Sequence, residues 1–311
     1  MYTTLASRLA LSDRNQTAGV DDTCSINYAD LLEQATDLKE KIGPEREIVI
    51  LECENSIRWL VSYVALHLGN HAMLLVPQGA TEAIKTFTRT YSATVEISAA
   101  TAYAPIRLET ARPALHPELS VLLLTSGSTG SPKCVRLSHE NIASNAQSIV
   151  TYLGLSTSER GVVNLPVHYS YGMSIVNSHL WAGATLLLTQ RSVVESEFWE
   201  FSRKNKATSF AGVPHTYDLL SHINFPQVAP DTLRYFTQAG GRLAPERAIE
   251  LANIARSRKW RFYIMYGQTE AAPRMAFLPP DAVTRHAGSI GIAIPNGTLK
   301  VQDENGQELP P

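Results

Sequence analysis

The sequence has 311 residues, 44% of them apolar and 18% charged, enough for one large α/β domain or two smaller ones with an ample core. Its formal charge is -2, from 27 basic and 29 acidic side chains, which argues against a nucleic-acid partner and against a basic face for an anionic membrane. The three cysteines, Cys24, Cys53 and Cys134, are odd in number and widely spaced, so neither a disulfide framework nor a zinc site is indicated, and a reducing, cytoplasmic location is expected. Residues 1–16 lack a basic segment followed by a long apolar one, and no apolar run approaches the roughly 18–20 residues that span a bilayer.

Short β-rich runs alternate with helical patterns along the chain. Residues 47–52 (EIVILE) read as a buried strand, and Asn55 is expected to cap a helix carrying Ile57, Leu60, Val61, Val64 and Leu68 on one side. A strand at 72–76, ended by Pro77 and Gly79, precedes a helix at 81–91. The segment 99–119, with Pro105, Pro113 and Pro117, is weakly periodic and reads as a boundary. The alternation then resumes: strand 121–124, helix 138–152, strand 162–165, helix 171–181 and strand 185–188. It continues with helix 195–206, strand 209–211, helix 215–222, strand 233–238, helix 245–256 and strand 260–265. Such alternation predicts an α/β fold of parallel sheets covered by helices. Residues 297–303 followed by Glu304-Asn305-Gly306 predict a strand entering a two-residue Asn-Gly hairpin, and a chain that stops just after that turn is expected to continue in the natural protein.

The most informative stretch is residues 122–139, LLLTSGSTGSPKCVRLSH. A buried strand feeds a loop holding Thr125, Ser126, Gly127, Ser128, Thr129, Gly130, Ser131 and Lys133, with a helix expected near Ser138. Two glycines allow tight turns that point backbone N–H groups at one anion, hydroxyls add donors, and the lysine adds charge; the set suits a polyphosphate. It is neither a Walker A loop nor a nucleophile elbow, because the glycine spacing fits neither pattern. A second cluster, residues 263–271 (YIMYGQTEA), offers the flat face of Tyr266 for a purine, the Thr269 hydroxyl for a phosphate and Glu270 as an oxygen ligand for a cation.

TSGSTGSPK resembles the signature loop of the adenylate-forming superfamily, which includes acyl- and aryl-CoA synthetases, adenylation domains and luciferases. YGQTE resembles that family's YGxTE motif, TQAGGRL (237–243) its glycine-rich turn beside the adenine, and AGSIGIAIP (287–295) the segment leading into its third subdomain. The family usually carries glycine after the lysine, where this chain has Cys134. The resemblance implies two parallel-sheet βα subdomains packed together, at residues 1–119 and 120–286, and the start of a small β-barrel-like subdomain at 287–311, with a C-terminal lid domain beyond. It implies ATP held by Thr125, Ser126, Gly127, Ser128, Thr129, Gly130 and Lys133, and adenine and α-phosphate contacts from Gly240, Gly241, Arg242, Tyr266, Gly267, Gln268 and Thr269. It also implies Mg²⁺ on Glu270. The resemblance gives the catalytic roles to Lys133, Thr269, Glu270 and His168.

Residues 164–172 (NLPVHYSYG) resemble the acid-binding region of the same family, with His168 near the reacting carboxylate and the acceptor's route. No aspartate occurs between Asn164 and Leu180, which disfavours a pocket for an α-amine. The resemblance places Tyr171, Gly172, Met173, Val213, Ala239, Gly240 and Gly267 around the acyl group, with Ala272, Pro273 and Arg274 on a deep wall. Arg274 there either meets a distal anionic or polar substituent of the acid or forms a structural ion pair. The activity implied is conversion of a carboxylic acid to an acyl-adenylate with release of pyrophosphate, then transfer to CoA or to the phosphopantetheine of an acyl or peptidyl carrier protein. An amide- or ester-forming relative and a non-catalytic nucleotide-binding relative are the alternatives.

Overall fold

The computed structural model describes residues 4–125 and 133–309. The chain opens with α1 (Leu5–Leu9), β1 (Thr17–Val20), β2 (Ser25–Asn27) and α2 (Tyr28–Ile42). There follow β3 (Ile48–Cys53), α3 (Ile57–Leu68), β4 (Ala72–Pro77), α4 (Thr81–Tyr91), β5 (Val95–Ile97) and β6 (Ile106–Arg107). The middle of the chain forms β7 (Leu119–Thr125), β8 (Lys133–Ser138), α5 (His139–Leu153), β9 (Arg160–Val163), α6 (Ser170–Ala182) and β10 (Thr185–Leu188). Next come α7 (Ser196–Lys204), β11 (Ser209–Gly212), α8 (Pro214–Leu220), α9 (Phe225–Val228), β12 (Tyr235–Gln238), α10 (Pro245–Ser257) and β13 (Arg261–Gly267). The last elements are β14 (Arg274–Leu278), β15 (Ile292–Ala293), β16 (Val301–Gln302) and β17 (Glu308–Leu309). Among the described residues no helix is long and apolar enough to cross a membrane.

Among the described residues one sheet runs β6-β5-β3-β4-β7-β8 and a larger one β15-β14-β13-β12-β11-β9-β10-β1-β2. Both are parallel at their centres and acquire antiparallel strands at their edges. Sheet membership does not follow the division expected at residue 119. β7 and β8 complete the first sheet, and the N-terminal hairpin β1–β2 joins the second, beside β10. The reason is non-local: β7 is an apolar run that pairs with β4, and no local pattern reports that partner. Past residue 287 the chain adds β15 to β14 and then forms a β16–β17 ribbon; no barrel closes among the described residues. That ribbon does not use a two-residue Asn-Gly turn. The Gly306 amide donates to the Asp303 carbonyl and Gly306 has φ +81°, so the glycine follows the turn as a bulge residue.

The layering follows from the period of two along each strand. In β3, Val49, Leu51 and Cys53 face the helices α2, α3, α5 and α6 between the sheets, whereas Ile48 and Ile50 face α4 on the outside with Phe87. In the second sheet Phe210, Phe236 and Phe262 occupy neighbouring register positions and stack at 5.6 and 4.7 Å beneath α7, α8 and α10. The next residues along, Ala211, Thr237 and Tyr263, face inward toward α5 and α6. Strands buried on both faces read as continuous apolar runs, which is why these were legible.

Two expectations are corrected by side-chain hydrogen bonds. The cap of α3 is Ser56, whose hydroxyl accepts from the Trp59 amide, and not Asn55. Asn55 is buried, and its amide donates instead to the carbonyls of Val163, Leu165 and Thr189, tying the carboxyl end of β3 in the first sheet to the second. The proline-bearing segment at 99–119 is anchored as well. It contributes β6, and Arg107 and Arg112 reach back to the fully buried Glu47 at 2.6 and 2.7 Å. Burial alone would push the Glu47 carboxyl up, but hydrogen bonds from Arg112, Thr94 and Arg107 outweigh it and hold the group at about 2.

Buried histidines make the fold acid-sensitive. Burial lowers His67 to about 3 and His71 to about 4, and neither Nε2 has a partner. Both imidazoles therefore stay neutral in the native state while the unfolded chain takes up protons near 6.5. Stability should be complete above that value and be lost progressively as pH falls toward 4 and 3. Between pH 7 and 5 we expect each to cost about 2 kcal/mol. Urea denaturation of the His67→Gln variant should show that loss reduced by roughly one histidine's share; an unchanged difference between pH 7 and 5 would reject the assignment.

Candidate active site

The three parallel strands β11, β12 and β13 end side by side, so the segments that leave their carboxyl ends share one rim. There a cleft of about 440 Å³ opens between Ser170–Tyr171 at the start of α6, the glycine turn after β12, and the turn from β13 to β14. Of the expected site residues, Tyr171, Ala239, Gly240, Gly241, Arg242, Tyr266, Gly267, Gln268, Thr269, Pro273 and Arg274 line it. Its far rim is Gly288, Ser289 and Ile290, from the AGSIG segment.

Each wall is set by local chemistry. Gly240 has φ +81°, and a Cβ there would lie 2.4 Å from the Tyr169 hydroxyl, so this position requires glycine for the protein's own packing as well as for any ligand. The Gln238 side chain donates to the Gly241 carbonyl at 2.8 Å and braces the turn. At the end of β13 a Cβ on Gly267 would meet the Pro273 carbonyl oxygen at 1.7 Å. Glycine therefore lets the returning strand β14 begin directly opposite, with Gly267 in register with Arg274. Between them Thr269–Ala271 forms a single 3₁₀ turn, held by the Ala271 and Ala272 amides donating to Gln268 and Thr269. Tyr266 is left 43% exposed, its ring free to present a face to the cleft. The Thr269 and Ser170 hydroxyls share a hydrogen bond at 3.1 Å, which joins this turn to α6.

The hydroxyl-rich loop joins β7 to β8. Ser126, Gly127, Ser128, Thr129 and Gly130 lie outside the described residues, but its flanks Thr125 and Lys133 are paired in the last rung of β7–β8. The strand β8, which starts at Lys133, packs against the Thr269–Ala271 turn. Thus the strand that leaves the loop motif meets the turn motif, whose Thr269 lines the cleft. Glu270 is exposed on that turn. Among the described residues no cluster of three metal-type side chains exists, yet a lone exposed carboxylate fits Mg²⁺, which keeps most of its waters and borrows phosphate oxygens from a bound nucleotide.

Other expected residues are placed differently. Thr125, Lys133, His168, Gly172, Met173, Val213, Glu270 and Ala272 are not among the cleft's walls. Met173 and Ala272 belong to the core between the sheets, and Val213 packs beneath Gly240. Gly172 allows α6 to approach the Pro166 carbonyl, which a Cβ would meet at 2.2 Å. His168 lies in the turn before α6; burial lowers it below its usual value, and its Nδ1 has no partner. Arg274 is not a surface ion pair. It is 5% exposed, and among the described residues no carboxylate lies within 4 Å of it. Ser170, Tyr169 and Gln238 are wall residues that sequence reasoning did not single out. Ser170 stood inside the NLPVHYSYG motif, and its hydroxyl was the available signal.

A sequence model of one family, described as AMP-binding enzyme, matches residues 70–311. The chain belongs to that family, the adenylate-forming group that its loop and turn motifs resemble. Among curated relatives, a probable CoA ligase, CCL9, of Humulus lupulus is 30% identical over 62% of this chain and 37% of its own length. The indoleacetate–CoA ligase of Aromatoleum aromaticum is 28% identical over 64% and 39%. The mitochondrial medium-chain acyl-CoA ligase ACSF2 of Rattus norvegicus is 32% identical over 60% and 31%. The matched segments thus span well under half of these relatives. Among solved structures, VinN superposes with a TM-score of 0.83 at 23% identity, covering 99% of this chain and 86% of that one. The o-succinylbenzoate CoA synthetase of Bacillus subtilis in complex with AMP gives 0.79 at 20% identity, covering 99% and 67%. Identities this low show the shared fold.

Proposed function

We propose that this chain binds ATP and a carboxylic acid without an α-amine and joins them as an acyl-adenylate, releasing pyrophosphate, with the acyl group then passing to a thiol such as CoA or a carrier's phosphopantetheine. The observation that carries this is the packing of β8, the strand that starts at Lys133, against the Thr269–Ala271 turn, whose Thr269 lines the cleft. The loop from Thr125 to Lys133 would hold the β- and γ-phosphates, Thr269 the α-phosphate, and the exposed face of Tyr266 the adenine, with Gly240 and Gly241 beside it. Glu270 would hold Mg²⁺, which supplies positive charge against the repulsion between a carboxylate and a polyphosphate. No aspartate or glutamate lines the cleft, and this supports an acid lacking an α-amine. His168, held neutral at pH 7 by burial, would stand on the acceptor's route.

Calorimetry tests the reading with AMP and with a hydrolysis-resistant acyl-sulfamoyladenosine. Both should bind, and Thr269→Val should weaken each by about tenfold, the worth of one phosphate hydrogen bond. A folded chain that binds neither compound sinks the proposal. Amines and hydroxyl compounds outcompeting thiols as acyl acceptors would overturn the choice of acceptor alone.

A further inference from the structure

Arg274 is a buried cation that the protein leaves incompletely satisfied. Its backbone is pinned, because the Asn145 side-chain amide donates to the Arg274 carbonyl at 3.0 Å. Its guanidinium lies 4.0 Å above the Tyr171 ring, and Nη2 donates to the Ser174 hydroxyl at 3.1 Å. Among the described residues Nε has no acceptor, and no carboxylate lies within 4 Å. A guanidinium presents five N–H donors in a planar fork matched to a carboxylate, and removing it from water without an anion is costly.

The surroundings say where an anion would come from. Arg274 lines both the main cleft and a second, small cavity of about 20 Å³. That cavity is bordered by Ser174, His179, Tyr235 and Thr237, and the Tyr235 hydroxyl and His179 Nε2 likewise lack partners. It is large enough for about one water molecule and too small for an extending hydrocarbon chain. Beside it Tyr171 is buried, its hydroxyl bonded to that of Thr237 at 2.7 Å, so its ring is a fixed part of the wall next to Arg274. An acid entering this cleft therefore meets a cation in its wall.

We propose that the Arg274 wall of the cleft binds a second anionic group on the acid, and that the substrate class is a short dicarboxylate or an equally short acid with a comparable distal anion. The charge-assisted pair with Arg274 satisfies Nε and leaves the small cavity for a bridging water to Tyr235. This rests on the adenylate reading of the cleft.

The test compares AMP with two hydrolysis-resistant sulfamoyladenosines, one carrying a hemisuccinyl group and one a butyryl group of the same length. The hemisuccinyl compound should bind about 10- to 100-fold tighter than the butyryl one, the range one hydrogen bond to a charged group supports. In Arg274→Met that ratio should fall to within about threefold, with Arg274→Lys between. Equal binding of the two compounds by the unaltered chain, or a preference that survives Arg274→Met, overturns the inference while AMP binding keeps the adenylate reading. Failure of AMP and of both compounds overturns that reading and this inference with it. The comparison within the unaltered chain decides the matter even where the methionine variant folds poorly.

Discussion

Gly267→Ala is expected to abolish measurable AMP binding, a loss of at least about 100-fold, and to destabilise the fold by about 3 kcal/mol or more. The added Cβ would sit 1.7 Å from the Pro273 carbonyl oxygen and 2.8 Å from its carbon. Both atoms are backbone, so no rotamer change relieves the overlap, and the ends of β13 and β14 must part. Those two ends carry Tyr266, Gln268, Thr269, Pro273 and Arg274 into the cleft, so a shift there moves the proposed purine wall, the proposed phosphate hydroxyl and the guanidinium together. Calorimetry with AMP and a urea melt check the two halves of the expectation. A variant that melts and binds like the parent would mean that the spacing of this turn does not depend on glycine.

Asn55→Ala is expected to cost about 2–4 kcal/mol, more than the roughly 1 kcal/mol expected for Ser56→Ala. Ser56 supplies one cap bond to the Trp59 amide. Asn55 supplies its amide to three carbonyls, at 2.8, 3.2 and 3.0 Å, all in the second sheet or the loops that leave it. Truncation would strand those acceptors in a buried place, where an unsatisfied polar group costs its full desolvation. Urea midpoints of the two variants, measured at one pH, give the order; Ser56→Ala costing as much as Asn55→Ala would overturn it.

The residues around position 55 show where local reading succeeds and where it stops. That a polar residue here starts a helix was legible, because Ser and Asn both cap helices and an amphipathic run follows. Which of them caps, and what the other does, was not legible: the partners of Asn55 lie more than 100 residues away. The same holds for the segment 99–119. Its prolines suggested a boundary, whereas Arg107 and Arg112 bind it to Glu47 in the first sheet.

The site divides along the same line. The glycine–hydroxyl–lysine loop and the Tyr-Gly-Gln-Thr-Glu turn announced a nucleotide, because backbone turns and donor density are local properties that a contiguous stretch carries by itself. Met173, Ala272 and Val213 were expected to surround the acyl group and lie in the packing behind it. Their orientation depends on helix rotation and strand pairing.

From its order of residues alone this protein already determined an α/β chain with doubly buried strands and phosphate-binding chemistry, since strand period, glycine placement and hydroxyl spacing act over a few residues. Only the tertiary structure decided that β7–β8 belongs to the first sheet and that this strand pair meets the Thr269–Ala271 turn. The same packing left Arg274 buried without a carboxylate partner among the described residues, because sheet pairing and burial are settled between segments that cannot sense each other until the chain has collapsed.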